Sequence, residues 1–258
     1  FYYGESPNDL NLECWGVLAA LARMTSTIRL GPVIANVLPA YRSLVLLSRQ
    51  AATADAVAGG RIDFRTGVGA SASYGRAWWG PVGVEYPLYS ERLIETASAL
   101  EALPDLWAPD RSIPITVAAT GPRAMDLAAV RADVWETSFC TPTEFASRRA
   151  DLMARLEGRS MVCSLEIDGF VASSDRAVKR LLDRVRADRG GTEDLDPILA
   201  RALVGQPSEV ATRLAELEAV GVDQVVVALH DPHDLDGLEA LSEARRLMVP
   251  VDGLNRSC

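Results

Sequence analysis

The apolar positions of the chain follow two patterns along most of its length. Short, continuous apolar runs predict buried strands, and longer stretches with apolar residues three or four positions apart predict amphipathic helices. The predicted strands are Ile28–Ala35, Arg61–Val68, residues 113–119, residues 133–138, Met161–Ala172 and Asp223–His230. The predicted helices are Leu10–Met24, Ser43–Val57, Tyr89–Trp107, Glu144–Leu156 and Leu235–Met248, with two or three more between Asp175 and Val220.

Cap and turn residues mark several of these boundaries. Asn8 or Asp9 is a candidate N-cap of the first helix, and Gly59–Gly60 is a C-cap signal for the second. The stretch around Trp78 and Trp79 contains glycine and proline, and we expect a loop there.

The predicted strands have apolar rather than alternating patterns, which is typical of a parallel sheet covered by helices on both faces. The fold class is therefore α/β. About six strands with their helices fit a doubly wound open sheet, and they equally fit an eightfold barrel that lacks two βα units. Neither an internal repeat nor a linker is evident, so we expect a single domain over residues 1–258.

The stretch from Ile113 to Ser138 combines a strand, a glycine turn, a helix and a second strand. Its turn, Thr120–Arg123, opens a helix whose first N–H groups have no partner within the helix, and such groups attract anions. An ordinary β–α connection with Pro122 near the helix start would have the same sequence. Both interpretations remain open at this point.

The charge balance argues against nucleic acid as a partner. The 258 residues include 26 Lys and Arg against 35 Asp and Glu, a net charge of −9. Nucleic-acid binding depends on a basic surface that neutralises phosphates. An anionic ligand would therefore need local donors.

Cysteine usage and the terminal segments favour a reducing, cytoplasmic location. Cys14, Cys140, Cys163 and Cys258 are scattered, and there are only two histidines, so we expect neither a disulfide framework nor a metal site. No apolar run approaches the roughly 20 residues that span a membrane, and the N-terminus lacks the features of a signal peptide. Because the chain does not begin with methionine, we expect the gene product to begin further upstream.

Small residues and glycines cluster at three predicted strand ends, where ligands bind in α/β folds. Glycine allows a ligand to approach the backbone closely. Only Gly67 and Gly69 match part of a G-x-G-x-x-G fingerprint, because position 72 is alanine, so the Rossmann motif is incomplete. The strand-end segments are Val33, Ile34, Ala35 and Asn36; Gly67, Val68, Gly69, Ala70 and Ser71; and Ala119, Thr120, Gly121, Pro122, Arg123 and Ala124.

Four further positions are candidates for chemistry. His230, at the end of the last strand, is a candidate acid or base, although a turn residue or helix cap would look the same. Trp78 and Trp79 either line a pocket for an apolar substrate or pack under a loop. Glu136 either bonds the edge of a ring or is only a polar strand-end residue. Motifs of serine hydrolases, P-loop proteins and zinc proteases are absent from the sequence.

Several segments resemble the bacterial luciferase-like family of flavin-dependent oxidoreductases. These segments are Thr25–Gly31, Ala51–Arg61, Gly67–Ala70, Leu103–Trp107 and Ala132–Trp135. The resemblance covers the chain from about Glu13 to Met248, and it is most specific over Ala51–Ala70.

The resemblance implies a (βα)8 TIM barrel of the bacterial luciferase type with a flavin or deazaflavin at its carboxyl end. The six predicted strands would be strands three to eight, and the first two would lie upstream of Phe1. The family also has a longer insertion where Asp110–Ser112 stands in this chain. Family members commonly form homodimers and act on small organic molecules.

The resemblance also implies cofactor contacts. Val33–Ile34 corresponds to the family's non-prolyl cis peptide, and Gly67 to Ser71 would run beside the cofactor ring or its ribityl chain. Thr120 to Ala124 is similar to the turn that holds the cofactor phosphate, where Arg123 would add a charged contact. His230, Asn36, Trp78 and Trp79 are the candidates for contact with the substrate.

This glycine–proline turn favours the deazaflavin coenzyme F-420, which transfers hydride, over FMN as the cofactor. One departure stands against that preference, because Ser71–Tyr74 replaces an acidic residue that many members have there. The alternatives are a monooxygenase that uses reduced FMN and a flavin-binding barrel without catalytic activity.

Overall fold

A computed structural model describes residues 12–107, 112–190, 194–229 and 234–248. These residues form two compact units. The N-terminal unit comprises the described residues up to Glu136 together with Arg155–Met161, and the C-terminal unit comprises Thr137–Ala154 and the described residues from Val162 onward. The single-domain organisation stays a prediction.

Helices and parallel strands alternate in both units, which confirms the α/β class. In chain order the first elements are α1 (Cys14–Met24), α2 (Leu44–Ala58), β1 (Phe64–Gly67), α3 (Ala72–Trp79), α4 (Tyr89–Leu106), β2 (Ile115–Ala118), α5 (Pro122–Arg131) and β3 (Val134–Ser138). The others are α6 (Pro142–Arg155), β4 (Val162–Val171), α7 (Asp175–Asp188), α8 (Asp196–Leu199), β5 (Ala202–Gly205), α9 (Pro207–Ala219), β6 (Gln224–Leu229) and α10 (Leu235–Met248). No helix among these residues is long and apolar enough to cross a membrane.

In the N-terminal unit, β2 pairs in parallel with β1 and with β3, and the two faces of this sheet differ in polarity. One face packs on helices: Phe64 stacks on Trp15 of α1, with ring centroids 5.9 Å apart, and meets the edge of Trp107 at the end of α4. Because side chains alternate along a strand, Arg65 and its register partner Thr116 point to the other face.

The segment predicted as the first strand, Ile28–Ala35, forms only an isolated bridge between Leu30 and Ile62. Pro32 has no N–H to donate, so the ladder cannot continue regularly. In a regular parallel ladder Ile34 would donate to the Arg65 carbonyl oxygen, but Ala35 donates instead, at 2.7 Å. The segment therefore bulges beside β1, and the prediction of a regular strand was wrong.

In the C-terminal unit, β4 pairs in parallel with β5 and with β6. Phe170 of β4 packs with Val185 of α7 and Ala202 of β5 in a buried cluster. The hydrophobic pattern did not predict β5, because its four residues lie between two helices and resemble a connecting loop.

Two local predictions are corrected and one is confirmed. The first helix begins at Cys14, where the Glu13 carboxylate caps the Gly16 N–H at 2.8 Å, so neither Asn8 nor Asp9 is its N-cap. The stretch expected to be a loop contains α3. Gly59 ends α2 with a φ of +64°, as the C-cap signal predicted.

Candidate functional site

The carboxyl ends of β1, β2 and β3 meet at one edge of the N-terminal sheet. Gly67 lies opposite Ala118, and Ala118 lies opposite Glu136. The Ala119 N–H donates to the Glu136 carbonyl oxygen at 2.9 Å, which continues the ladder past the end of β2. The glycine turn after β1 and the Thr120–Arg123 turn after β2 therefore leave from the same edge.

The bulged segment beside β1 contributes to this edge. The peptide bond between Val33 and Ile34 is cis, which confirms the geometry that the resemblance implied. Ile34 is 37% exposed, and its Cδ1 would lie 3.4 Å from a Cβ placed on Gly67. The same Cβ would come 3.0 Å from the Ala118 carbonyl oxygen, so glycine at position 67 keeps this part of the edge open.

The turn after β1 has a backbone that favours glycine. Gly69 has a φ of +88°, which side-chain-bearing residues rarely adopt. A Cβ at this position would also come 2.6 Å from the Tyr86 Oη. Gly69 is therefore required both for the turn and for the approach of Tyr86.

Arg92 of α4 holds the same turn, although no sequence motif marks this residue. The residue is buried, yet within the described part of the chain its guanidinium donates only to carbonyl oxygens: Nε to Val68 at 2.9 Å, Nη1 to Pro87 at 2.6 Å and Nη2 to Ala70 at 3.0 Å. No carboxylate among the described residues pairs with it. Because a guanidinium has five N–H donors, two remain for a further acceptor, and its positive charge is not neutralised.

Arg92 lines a cavity of about 310 Å³ next to the turn. The other lining residues come from the turn, α3 and the start of α4: Gly69, Ala70, Ser71, Ala72, Arg76, Pro87, Leu88 and Tyr89. Two arginines and no acidic residue are among the described residues that line it. This cavity is therefore suited to an anion.

The Thr120–Arg123 turn lies close to this cavity. The Oη of Tyr89, a lining residue, would lie 3.9 Å from a Cβ on Gly121. Gly121 is the N-cap of α5, Pro122 is its first residue, and no side chain caps the helix. The N–H groups of Arg123 and Ala124 therefore lack partners within the helix. Both glycine-containing turns thus bring backbone to the region of one anion-suited cavity.

A second cavity, of about 810 Å³, shares Arg76, Pro87 and Leu88 with the first. Its lining differs in charge, because it includes Glu85, Glu91 and Glu95. The remaining lining residues are Ala40, Gly80, Val84 and Tyr86.

The other predicted site residues have different surroundings. Glu136 is fully buried and forms an ion pair with Arg65. Its predicted contact with the edge of a ring stays a prediction. The Asn36 Oδ1 accepts from the Leu38 N–H at 2.9 Å, which forms a local turn. His230 lies outside the described residues.

Trp79 packs between two tyrosines and does not line either cavity. Its ring centroid is 5.5 Å from that of Tyr41 and 5.0 Å from that of Tyr86. Trp78 is likewise not among the described lining residues. Trp79 therefore has the contacts of a packed side chain. The substrate role of both tryptophans stays a prediction.

Comparison with known families identifies the fold and the class of enzyme. The model of the luciferase-like monooxygenase family matches residues 2–188. The chain belongs to this family. Membership confirms the class of enzyme predicted from the sequence, an oxidoreductase or monooxygenase of the luciferase-like type.

Solved structures with the same fold include enzymes that are described with different cofactors or substrates. An F-420-dependent secondary alcohol dehydrogenase bound to an F-420–acetone adduct has a TM-score of 0.77 and 16% identity, over 94% of this chain and 86% of its own. The F-420-dependent tetrahydromethanopterin reductase from Methanopyrus kandleri has a TM-score of 0.67 and 22% identity, over 90% and 86%. The EDTA monooxygenase from Chelativorans sp. BNC1 has a TM-score of 0.72 and 15% identity, over 93% and 80%.

No curated protein matches the chain. At these identities the solved structures support the luciferase-like α/β fold only, so the cofactor must be argued from the residues of the chain itself.

Proposed function

We propose that the protein is an oxidoreductase that binds a phosphate-bearing flavin-type cofactor at the carboxyl ends of β1, β2 and β3. The preferred cofactor is coenzyme F-420, used for hydride transfer to or from a small organic substrate. The observation that carries this proposal is the buried Arg92 guanidinium. Among the described residues, no acidic side chain lines its cavity, and two of its N–H donors have no acceptor.

The residues present fit the phosphate of such a cofactor. Arg92 and Arg76 supply positive charge, and Tyr89 and Gly69–Ser71 line the same cavity. A phosphate held there would accept charge-assisted hydrogen bonds, which are shorter and stronger than those between neutral groups. The uncapped start of α5 would add N–H donors and the favourable end of a helix dipole.

The open part of the strand edge fits the ring. Gly67 and Ala118 project at most a methyl group there, and the exposed Ile34 side chain supplies an apolar surface beside them. When bound, a deazaflavin would supply the hydride-accepting or hydride-donating carbon. The protein would orient the ring, exclude water from it and position the substrate. Asn36, His230, Trp78 and Trp79 remain the proposed substrate contacts.

Two observations bear on the choice of cofactor. The Gly121–Pro122–Arg123 turn, which opens a helix whose first N–H groups lack partners within the helix, supports F-420 through its similarity to the turn of the deazaflavin-dependent branch. FMN is the second candidate, because its ribityl side chain ends at the phosphate, whereas the side chain of F-420 continues beyond the phosphate into acidic groups. The neighbouring 810 Å³ cavity, with Glu85, Glu91 and Glu95, would disfavour an acidic extension in that direction.

Titration of the purified protein with both cofactors tests the proposal. Fluorescence and absorbance titrations with F-420 and FMN, and with their phosphate-free forms, should give saturable binding that depends on the phosphate. Turnover with the bound cofactor would separate an enzyme from a flavin-binding protein without activity. We further propose that the enzyme acts as a homodimer in the cytoplasm, with neither nucleic acid nor membrane as a partner.

A further inference from the structure

Tyr86 occupies a slot formed by two glycines beside the proposed phosphate site. A Cβ on Gly75 would come 2.2 Å from the Tyr86 ring, and a Cβ on Gly69 would come 2.6 Å from its hydroxyl oxygen. No real Cβ atom could occupy either position unless the ring moved. The sequence therefore leaves space for this tyrosine on two separate segments.

The Tyr86 ring also supports the Arg92 guanidinium. The Arg92 Cζ lies 4.2 Å from the centroid of the Tyr86 ring, and Trp79 packs edge-on against the same ring. A desolvated cation–π contact of this kind stabilises the position of a guanidinium. Arg92 thus has an aromatic face on one side instead of a carboxylate that would neutralise it.

Tyr86 and Arg92 hold the same atom of the glycine turn. The Tyr86 hydroxyl donates to the Ala70 carbonyl oxygen at 2.9 Å, and the Arg92 Nη2 donates to the same oxygen at 3.0 Å. Since the Arg92 Nε also donates to Val68, the ring, the guanidinium and the turn form one connected unit.

We propose that Tyr86 is a positioning residue that fixes the Arg92 guanidinium and the Val68–Ala70 turn for recognition of the cofactor phosphate. This inference rests on the proposed function, because it concerns the same phosphate site. It adds a residue that lies outside the anion-suited cavity and acts on the ligand only through Arg92 and Ala70.

Substitutions at Tyr86 separate positioning from general packing when each phosphate-bearing cofactor is compared with its phosphate-free form. Tyr86→Leu removes the ring and should weaken binding of FMN and of F-420 by about tenfold, a loss typical of one desolvated cation–π contact. Binding of riboflavin and of the phosphate-free deazaflavin should change little. Tyr86→Phe keeps the ring and loses only the bond to Ala70, so about a threefold loss is expected.

Two further variants complete the test. Gly75→Ala should push the Tyr86 ring aside without adding or removing a polar group. It should therefore weaken binding of FMN and of F-420 as Tyr86→Leu does. Tyr41→Leu is the matched control, because Tyr41 is the other aromatic partner of Trp79, with ring centroids 5.5 Å apart, and its loss should leave the affinity ratio unchanged. Circular dichroism verifies folding, and Tyr86→Phe decides the question should Tyr86→Leu not fold.

An unchanged FMN-to-riboflavin affinity ratio in Tyr86→Leu and Tyr86→Phe, whether both affinities stay the same or fall equally, would overturn the positioning role. A separate outcome concerns the wild-type protein. If it binds FMN no better than riboflavin, and F-420 no better than its phosphate-free form, the phosphate site itself is refuted, and the role of Tyr86 with it.

Discussion

The Arg65 guanidinium on β1 pairs with the Glu136 carboxylate on β3, across β2 and beneath the open strand edge. Both residues are buried, with exposed fractions of 5% and 0%. Arg65 lies level with Thr116 and Glu136 lies level with Ala118, so the arginine side chain reaches diagonally over the middle strand.

Breaking this ion pair should destabilise the protein strongly, whereas replacing both of its residues with apolar ones should destabilise it much less. Arg65→Met leaves a buried carboxylate without its cation, and we expect the free energy of unfolding to fall by about 3–5 kcal/mol. The double variant Arg65→Met/Glu136→Leu removes both charges and should recover most of that loss. Urea unfolding measures both.

The surface pair of Arg246 and Glu243 provides the control, because its side chains are 71% and 47% exposed. Arg246→Met should have a much smaller effect. A double variant as unstable as Arg65→Met would contradict the account of the buried pair.

Gly69→Ala should destabilise the protein more than the same substitution at a glycine that has a similar left-handed backbone but no close neighbour. Gly59 is that control, since its φ is +64° and a Cβ there would meet nothing within 4 Å. Gly59→Ala should cost about 1 kcal/mol for the left-handed backbone alone. Gly69→Ala should cost about 1–3 kcal/mol more, because its Cβ would displace the Tyr86 hydroxyl. Equal losses in thermal unfolding would show that this contact is unimportant.

A carboxylate at position 121 should weaken binding of the phosphate. The backbone of Gly121 is extended, with φ −86° and ψ 154°, and a Cβ there would meet only the Tyr89 Oη at 3.9 Å, so a side chain fits. Gly121→Asp should reduce the affinity for F-420 and FMN by at least about tenfold, through repulsion between like charges.

Gly121→Asn has nearly the same shape without the charge and should bind the cofactors far better than Gly121→Asp. Unchanged cofactor affinity in Gly121→Asp would refute the role of this turn. Riboflavin binding should be similar in both variants.

Tyr86 should contribute to the loss of stability at alkaline pH. Burial raises the pKa of Tyr86, and the nearby Arg92 charge opposes this rise only in part. The folded state therefore holds the phenol proton more tightly than the unfolded state. The resulting stabilisation is present below the unfolded pKa of about 10 and is lost as the pH rises through the folded value.

Stability measured at a series of pH values above about 9 tests this sign. Tyr86→Phe cannot ionise at this position, so its free energy of unfolding should fall less steeply with pH than that of the wild type. Parallel curves for the two proteins would contradict the assigned pKa direction.

The residues that the sequence revealed are those whose signal is local. The resemblance placed a cis peptide at Val33–Ile34, and the structure has it there. Glycine turns at Gly67–Ser71 and at Thr120–Arg123 were recognisable because glycine and proline restrict the backbone within a few residues. The fold class followed from the apolar strand pattern.

Arg92 and Arg65 were missed because their roles depend on distant partners. Arg92 lies 24 residues from Val68, whose carbonyl oxygen it holds, and Arg65 lies 71 residues from Glu136. Neither spacing follows a helical or strand period, so only the folded chain brings these residues together. The available signal was the charge of Arg65 between Phe64 and Thr66 in a strand that we expected to be buried.

The same reasoning explains the wrong prediction of a loop around Trp79. Glycine and proline in this stretch suggested a loop, yet Ala72–Trp79 forms helix α3, which brings Trp79 against Tyr41 and Tyr86. The sequence around Gly75 and Gly80 contains residues that weaken helices, and tertiary packing outweighs that local preference here.

The central claim is that Arg92 and the two glycine turns bind the phosphate of a flavin-type cofactor. Its most direct test is a fluorescence titration of the purified protein with four ligands: F-420, its phosphate-free form, FMN and riboflavin. We expect saturable binding of F-420, or of FMN as the second candidate, at least about tenfold tighter than that of the matching phosphate-free form. Arg92→Met should abolish the difference. Binding of none of the four ligands, or binding that is indifferent to the phosphate, would contradict the claim.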